Sequence, residues 1–253
     1  MSSSFVLRFL RLLAGLLLYG LAEGLMVHAT IGVSPWMVFA QGIAAVTGLG
    51  LGVLTVLIGA AVLLLWIPLR QRPGLGTLMN VLLVGPFIEL GLWLFPAPSW
   101  FGATGVWAVV VTVLYFTIGL LLLAVASGIY IGAAMGPGPR DGLMTGLHSR
   151  LGWPIWIGRT AVEGTVLAAG WLLGGNVGLG TVAFALFVGP LCGVTLRWFG
   201  VTRARGRADA SSGSVTGARP DADADARPAH AVRASSSRPS RRPSRRASSP
   251  SHV

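Results

Sequence analysis

The sequence reads Gly-Pro-Gly-Pro-Arg-Asp-Gly-Leu-Met-Thr-Gly-Leu at residues 136–147. A similar stretch, Gly-Val-Ser-Pro-Trp-Met-Val-Phe-Ala-Gln-Gly-Ile, occurs 104 positions earlier, at residues 32–43. Proline is favoured in the first turn of a helix, because its missing N–H is not needed there. We therefore predict short helices from Pro35 to Val46 and from Pro139 to Arg150. Both are too brief to cross a bilayer, so each is a half-helix that lies at the interface or re-enters the membrane.

Most of the chain around these stretches is apolar. Hydrophobic residues make up 53% and charged residues 11% of the 253 residues, and the mean hydropathy is +0.73. The surface of a water-soluble domain carries roughly a quarter or more charged residues, so we infer that lipid surrounds most of this chain. Runs of about 20 residues, enough to cross a bilayer as a helix, occur near 9–31, 51–69, 75–95, 104–131, 155–173 and 179–199. The sequence therefore predicts an all-α membrane protein with six transmembrane helices.

The two halves of the chain repeat each other. A shift of 104 positions aligns them without a gap and pairs Gly15 with Gly119, Gly24 with Gly128, Gly32 with Gly136, Pro35 with Pro139, Gly42 with Gly146, Gly48 with Gly152, Leu75-Gly76-Thr77 with Leu179-Gly180-Thr181, and Val84-Gly85-Pro86 with Val188-Gly189-Pro190. We predict a first membrane repeat over residues 1–100 and a second over 101–200. Each has three crossings, an odd number, so the second repeat enters the membrane from the opposite side and the two repeats are inverted.

The two proline turns then approach each other from opposite faces of the membrane. Non-helical backbone at membrane depth needs protein or a water-filled cavity to satisfy its polar groups. We therefore expect a binding site between the turns. The alternative is that these prolines and glycines only end one helix and begin the next, with no site between them.

The arginines predict the orientation. Before residue 201 the chain carries eight arginines and four acidic residues, and the rest of the net charge of +11 belongs to the tail. With six crossings, the arginine-bearing loops fall on the side of the N-terminus, as the positive-inside rule requires. Eight crossings would move Arg70 and Arg72 to the other side. We predict a multi-pass protein of the bacterial inner membrane with its N-terminus and C-terminus in the cytoplasm.

Residues 201–253 form a segment rich in Arg, Ser and Pro, with almost no large apolar side chain. Such a segment cannot bury enough apolar surface to offset its ordering entropy, so we predict a disordered cytoplasmic tail. Its arginines favour contact with anionic lipid, and we do not expect nucleic acid as a partner. The Arg-Arg-x-Ser pattern at 241–248 is either a phosphorylation site that weakens membrane attachment or a product of the biased composition.

Three motifs carry a resemblance to a known family. They are the Gly-x-x-Pro-Trp turn at 32–36, Trp-Ile-Pro-Leu-Arg-Gln-Arg-Pro-Gly-Leu-Gly-Thr at 66–77, and the stretch at 136–147. Together they resemble the YczE family of bacterial membrane proteins, related to the YitT-like group, over about residues 9–200. The resemblance implies a multi-pass membrane protein but no particular biochemical activity. Met37 stands where such proteins usually carry an aspartate, so an acidic partner to Asp141 is missing here.

Charged residues inside the spans are candidate site residues, because a central charge costs about 2.5–3.5 kcal/mol on insertion scales. Glu23, Glu89 and Glu163 each lie mid-span among Gly, Ala, Leu and Val. We expect buried carboxylates that exchange protons or pair with a cation. Arg159 lies four residues before Glu163 on the same helix face, so the two either stabilise each other or belong to a site.

Further candidates lie on the half-helices. Asp141 either only favours the helix dipole, or it belongs to a site in which Arg140 faces an anionic group beside the N–H groups of the turn. Gln41 is a candidate binding residue on the first half-helix. The turns themselves supply Gly32, Pro35, Gly136, Gly138 and Pro139.

These patterns favour transport over catalysis. The sequence has no metal-ligand spacing, no Ser-His-Asp arrangement and no phosphate-binding loop, so we expect no enzyme, no metal and no cofactor. The leading hypothesis is a secondary transporter or permease for a small solute, with proton linkage through a buried glutamate. The alternative is a non-transporting membrane anchor or regulatory partner.

Overall fold

Eight helices and no strand make up the residues described by the computed structural model, which are 3–98, 102 and 104–199. The helices are α1 (Ser3–Ala29), α2 (Pro35–Thr47), α3 (Leu51–Leu69), α4 (Leu75–Leu94), α5 (Val106–Gly132), α6 (Pro139–Leu151), α7 (Ile155–Leu172) and α8 (Leu179–Trp198). This confirms the all-α class. The predicted tail at 201–253 lies outside the described residues.

Five of these helices are long and apolar enough to cross a membrane, namely α1, α3, α4, α5 and α8. Large apolar side chains are exposed on the bundle surface, for example Ile67 at 70% and Leu179 at 84%. Such a surface is unfavourable in water and normal in lipid, so this is a membrane protein. Helix α7, which contains Arg159 and Glu163, is not among the five, and the count of six crossings stays a prediction.

Both half-helices begin at their prolines, as the sequence predicts. Ser34 precedes α2, and its Oγ accepts a hydrogen bond from the N–H of Met37 at 3.4 Å, which satisfies one of the free donors of the first turn. Gly48 and Gly152 end α2 and α6 with φ values of 72° and 67°. Glycine adopts this left-handed conformation without a Cβ penalty, so both half-helices stop sharply.

Helix α1 begins earlier than the apolar run near residue 9 indicates. Its first turns carry Arg8, whose Nε donates to the carbonyl of Ala133 at 2.8 Å and whose Nη2 donates to the carbonyl of Ala134. These carbonyls follow the last turn of α5, where a cation is favourable with the helix dipole. The arginine therefore anchors the start of α1 to the end of α5.

The geometry of the two halves is duplicated. Gly76 N–H donates to Met135 O, and Gly180 N–H donates to Ile31 O, each at 2.8 Å and each 104 positions from its counterpart. In both cases the N-terminus of the fourth helix of one half, α4 or α8, donates to the turn before the half-helix of the other half. Positive φ values are also repeated, at Thr30 and Ala134 and at Gly32 and Gly136.

Helices α1 and α5, which are repeat equivalents, pack against each other in antiparallel orientation. Gly15, early in α1, lies against Tyr130, late in α5, whereas Gly119, earlier in α5, lies against Met26, late in α1. Each half-helix packs on the third helix of the other half, α2 on α7 and α6 on α3. Within each half the first helix packs on the fourth, α1 on α4 and α5 on α8.

Candidate functional site

The first turns of the two half-helices meet at their second residues. The guanidinium carbon of Arg140 on α6 lies 4.9 Å from the centre of the Trp36 ring on α2, a cation–π contact. The two residues are 104 positions apart, so they are repeat equivalents. The structure therefore brings the two proline turns together.

Glu23 of α1 lies directly beside the first turn. Its side chain is buried, with 1% exposed, and its Oε1 and Oε2 accept hydrogen bonds from Ser34 Oγ at 3.1 and 3.4 Å. The charge of Arg140 also acts on this carboxylate. Ser34 thus caps α2 and also binds Glu23. The Ser-Pro pair at an expected helix start could have indicated the capping role.

Asp141 of α6 lies beside the second turn. Its Oδ2 accepts a hydrogen bond from the hydroxyl of Tyr130 on α5 at 3.3 Å, and the Tyr130 ring packs edge-on against Tyr19 of α1 at 6.2 Å. Asp141 is in the first turn of α6, where a negative charge is favourable. Its side chain is exposed, whereas Met37, its repeat equivalent, is buried with 2% exposed. We name Tyr19, Glu23, Ser34, Trp36, Tyr130, Arg140 and Asp141 the central cluster.

The remaining turn residues shape this cluster through the backbone. Gly32 and Gly136 have φ values of 110° and 131°, which a residue with a side chain rarely adopts. A Cβ on Gly138 would lie 3.3 Å from the Tyr130 hydroxyl. Pro35 and Pro139 are the first residues of the half-helices, and Pro139 O accepts a hydrogen bond from Trp66 Nε1 at 3.0 Å.

Glu89 lies apart from the central cluster, and the expectation that it is buried was wrong. It is exposed on the surface of the bundle, and its Oε1 accepts a hydrogen bond from Gly52 N–H at 2.7 Å. Gly52 is in the first turn of α3, which has no side-chain cap of its own. The carboxylate of Glu89 therefore caps α3 from the neighbouring helix α4.

Two other candidates also lie outside the cluster. Gln41 Oε1 accepts a hydrogen bond from Asn176 N–H at 3.1 Å and so ties α2 to the loop before α8. Arg159 Nε lies 3.0 Å from Glu163 Oε1, and the two side chains are 52% and 30% exposed. The ion pair suggested by their spacing exists, and its part in any binding stays a prediction.

The two halves differ where the third helix of each meets the fourth. A side chain on Gly85 of α4 would collide with the carbonyl oxygen of Gly52 on α3, so these helices touch through their backbones. The residue equivalent to Gly85 is Gly189 of α8, and a Cβ there, or on Gly193, would meet no described atom within 4 Å. Helices α7 and α8 have no packing comparable to that of α3 on α4 within the described residues. The bundle is closed between α3 and α4 and open between α7 and α8.

Asp141 of the central cluster is exposed, and α6, which carries it, packs on α7. The cluster therefore adjoins one of the two helices that flank the opening. A second space, an apolar cavity of about 710 Å³, lies between α5 and α8. Solute selection needs convergent polar groups, so we assign the candidate site to the central cluster.

The cluster combines charged, aromatic and hydroxyl groups at the two turns. It holds two carboxylates, one guanidinium, three aromatic rings and the Ser34 hydroxyl, which contact one another in pairs. No three His, Cys, Asp or Glu side chains of the described residues lie close enough together to hold a metal ion.

Comparisons with known proteins give the family. Residues 6–197 match the family described as "Family of unknown function (DUF6198)". Over 180 residues the chain is 38% identical to an uncharacterized protein of Haemophilus influenzae. The aligned stretch covers 71% of this chain and 79% of that protein. Over 191 residues it is 32% identical to the uncharacterized membrane protein YczE of Bacillus subtilis. That alignment covers 75% of this chain and 85% of YczE. No solved structure matches it. With duplicated half-helices between apolar helices and a match over most of its length, the chain belongs to the DUF6198 family of membrane proteins, together with YczE.

Proposed function

We propose that this protein is a secondary transporter for a small solute, built from two inverted repeats with six crossings in the bacterial inner membrane. The antiparallel packing of α1 on α5 supports the inversion, because these helices are repeat equivalents. The exchanged packing of α2 on α7 and of α6 on α3 is what a two-fold relation between the halves requires. The first repeat is residues 1–100 and the second is residues 101–200.

Helix α7 is the sixth crossing in this proposal. Its 18 residues give a length of about 27 Å, close to the roughly 30 Å of bilayer hydrocarbon. Arg159 and Glu163 neutralise each other at 3.0 Å, which lowers the cost of placing them in a membrane. Helix α3, its repeat equivalent, is one of the five apolar spans.

The N-terminus and C-terminus lie in the cytoplasm in this proposal. Arg8 and Arg11 begin α1, and Arg70 and Arg72 lie between α3 and α4. Six crossings place all four on one side, and the positive-inside rule makes that side the cytoplasm. The opening between α7 and α8 then faces the cytoplasm, and the closed contact between α3 and α4 faces outward.

The observation that carries the proposal is a central charged cluster in a bundle whose equivalent helix pairs differ, because among the described residues α3 packs closely on α4 and α7 does not pack in this way on α8. In an inverted-repeat transporter the site lies at the repeat interface, and the two halves open alternately around it. Gly52 against Gly85 is the closed contact, and the equivalent positions, Trp156 and Gly189, make no such contact, since no described atom lies within 4 Å of a Cβ on Gly189. If α3 and α4 separated while α7 and α8 came together, the access of a solute to the central cluster would move from one face of the membrane to the other.

Glu23 is the residue that we assign to proton linkage. It is almost fully buried, it touches Ser34 of one turn, and the charge of Arg140 from the other turn acts on it. A carboxylate that is hydrogen-bonded to one turn and feels the charge of the other changes its surroundings when the halves move, so its protonation is coupled to that movement.

The test is reconstitution of the full chain into vesicles with a pH-sensitive dye inside and a panel of small metabolites outside. We expect solute uptake with proton movement, which Glu23→Gln abolishes. The double variant Arg159→Gln/Glu163→Gln is the matched control, since it removes a carboxylate outside the central cluster and leaves no uncompensated charge in α7. A folded protein that moves no solute across a broad panel would contradict the proposal and favour the anchor or regulatory alternative.

A further inference from the structure

The central cluster has a negative charge balance. Glu23 and Asp141 each contribute a carboxylate, and Arg140 contributes the single cation. Three aromatic rings, those of Trp36, Tyr19 and Tyr130, complete its walls, and the negative face of an aromatic ring attracts cations. A solute anion would meet two like charges here, whereas a solute cation would meet two opposite charges and three aromatic rings.

Arg140 itself indicates what kind of group the cluster binds. Its guanidinium lies 4.9 Å from the centre of the Trp36 ring, within electrostatic range of Glu23 and next in sequence to Asp141. An aromatic ring and two carboxylates thus surround a guanidinium that belongs to the protein itself. Arg140 is only partly buried, and Asp141 is exposed. A cation that approaches the cluster from the exposed side of Asp141 reaches that carboxylate first.

We propose that the solute is a small organic cation of the guanidinium or primary ammonium class, which competes with Arg140 for the face of Trp36. Its charge pairs with Asp141 and Glu23, and its N–H groups donate to their carboxylate oxygens. When it binds, the Arg140 side chain leaves Trp36 and turns toward the opening. This inference rests on the proposed transport site, and it names the substrate class of that site.

Because the proposed solute competes with Arg140, replacement of Arg140 should change the affinity for a cation and the affinity for an anion in opposite directions. Arg140→Gln removes the internal competitor and one positive charge, so it should tighten the binding of a cation several-fold and should abolish the binding of an anion. Asp141→Asn should weaken cation binding by about tenfold or more, and Trp36→Leu by about threefold to thirtyfold, the range of a cation–π contact. Arg72→Gln is the matched control, because it removes an exposed arginine from the loop between α3 and α4 and should leave the affinity for the cation within about twofold of wild type.

The measurement is binding of radiolabelled methylguanidinium to the full-length protein in detergent, with unlabelled ethylammonium and acetate as competitors. We expect saturable binding that ethylammonium displaces and acetate does not. Each variant is first checked for a wild-type melting profile, and Trp36→Phe, which keeps a ring, should bind within a few-fold of wild type if Trp36→Leu proves unstable. Displacement by acetate, loss of binding in Arg140→Gln, or no saturable binding of methylguanidinium to the folded wild type would overturn the inference.

Flux in vesicles separates this inference from the proposed function. Binding of methylguanidinium without its movement across vesicles would contradict transport and leave the cation site standing. Movement of an anionic or neutral solute, with no binding of methylguanidinium, would contradict the cation site and leave transport standing.

Discussion

Glu89 on α4 binds the N–H of Gly52 on α3 at 2.7 Å, and the equivalent of Glu89 in the second repeat is Gly193, which has no side chain to make this contact. The chain therefore encodes a difference between two otherwise duplicated helix pairs. One pair has a carboxylate that caps the neighbouring helix, and the other pair lacks it. This difference stabilises the closed arrangement of α3 and α4 relative to that of α7 and α8.

Replacement of Glu89 should weaken this contact. Glu89→Ala removes the acceptor from the first turn of α3, and the loss of a charged cap at a helix N-terminus costs about 1 kcal/mol. The melting temperature of the protein in detergent should fall for Glu89→Ala and fall less for Glu89→Gln, which keeps an acceptor oxygen. Equal melting temperatures for wild type and Glu89→Ala would mean that the contact does not stabilise the closed pair.

Replacement with alanine should destabilise the protein at Gly85 and should not do so at the equivalent Gly189. Gly85→Ala pushes a methyl group against the Gly52 carbonyl, and overpacking of this kind costs about 1–3 kcal/mol. Gly189→Ala adds a methyl group where no described atom lies within 4 Å. Because alanine is favoured over glycine within helices by roughly 0.5–1 kcal/mol, Gly189→Ala should be neutral or stabilising. Melting curves of the two variants in one detergent make the comparison, and a larger loss at Gly189 than at Gly85 would refute the closed and open assignment.

Ser34→Ala should destabilise the first half-helix more than a nearby control. The variant removes the cap of α2 and the hydroxyl donor to buried Glu23, together worth about 1–3 kcal/mol. Thr47→Ala on the same helix removes a hydroxyl that binds Ile43 O at the exposed end of α2. The melting temperature should fall clearly for Ser34→Ala and little for Thr47→Ala. Similar losses for both would show that the Glu23 contact contributes nothing.

Arg8→Ala should loosen the junction of α1 with the end of α5. Arg8 donates to the carbonyls of Ala133 and Ala134, and the loss of a cation at a helix C-terminus costs about 1 kcal/mol. The N–H groups of the following turn, before Pro139, should exchange hydrogen faster in mass-spectrometric measurements. Arg150→Ala, a change at an exposed arginine, serves as the control, and unchanged exchange in Arg8→Ala would count against the anchor.

The half-helices could be predicted from the sequence because their signals are local. A proline that begins a helix and a glycine that ends it act through the backbone of their own residues, so Pro35, Gly48, Pro139 and Gly152 mark the ends wherever the helices lie. The contacts repeated at positions 104 residues apart, such as those of Gly76 and Gly180, also occur at residues that the sequence alignment of the halves pairs, whereas the inverted repeat itself stays a prediction. The early start of α1 was missed, because the signal used was hydropathy, and Arg8 is held by carbonyls more than a hundred residues away.

Only the charged residues of the candidate site could be predicted from the sequence. Glu23, Arg140 and Asp141 stand out because ionisable groups are rare in apolar spans. Tyr19, Ser34 and Tyr130 do not stand out, since their types are common in such helices and only tertiary contact gives them a role. Glu89 was misplaced for the same reason, because a central position in an apolar run does not reveal which face of the helix the residue occupies.

The measurement that tests the central claim most directly is the sidedness of two equivalent loops. Arg72 lies between α3 and α4, and Val177 lies between α7 and α8. In a Cys192→Ser background, which removes the only cysteine, Arg72→Cys and Val177→Cys are each treated in intact cells with a membrane-impermeant thiol reagent. Inverted repeats predict labelling of the cysteine at 177 from outside and of the cysteine at 72 only after the membrane is opened. Labelling of both positions from the same side would contradict the inverted repeat.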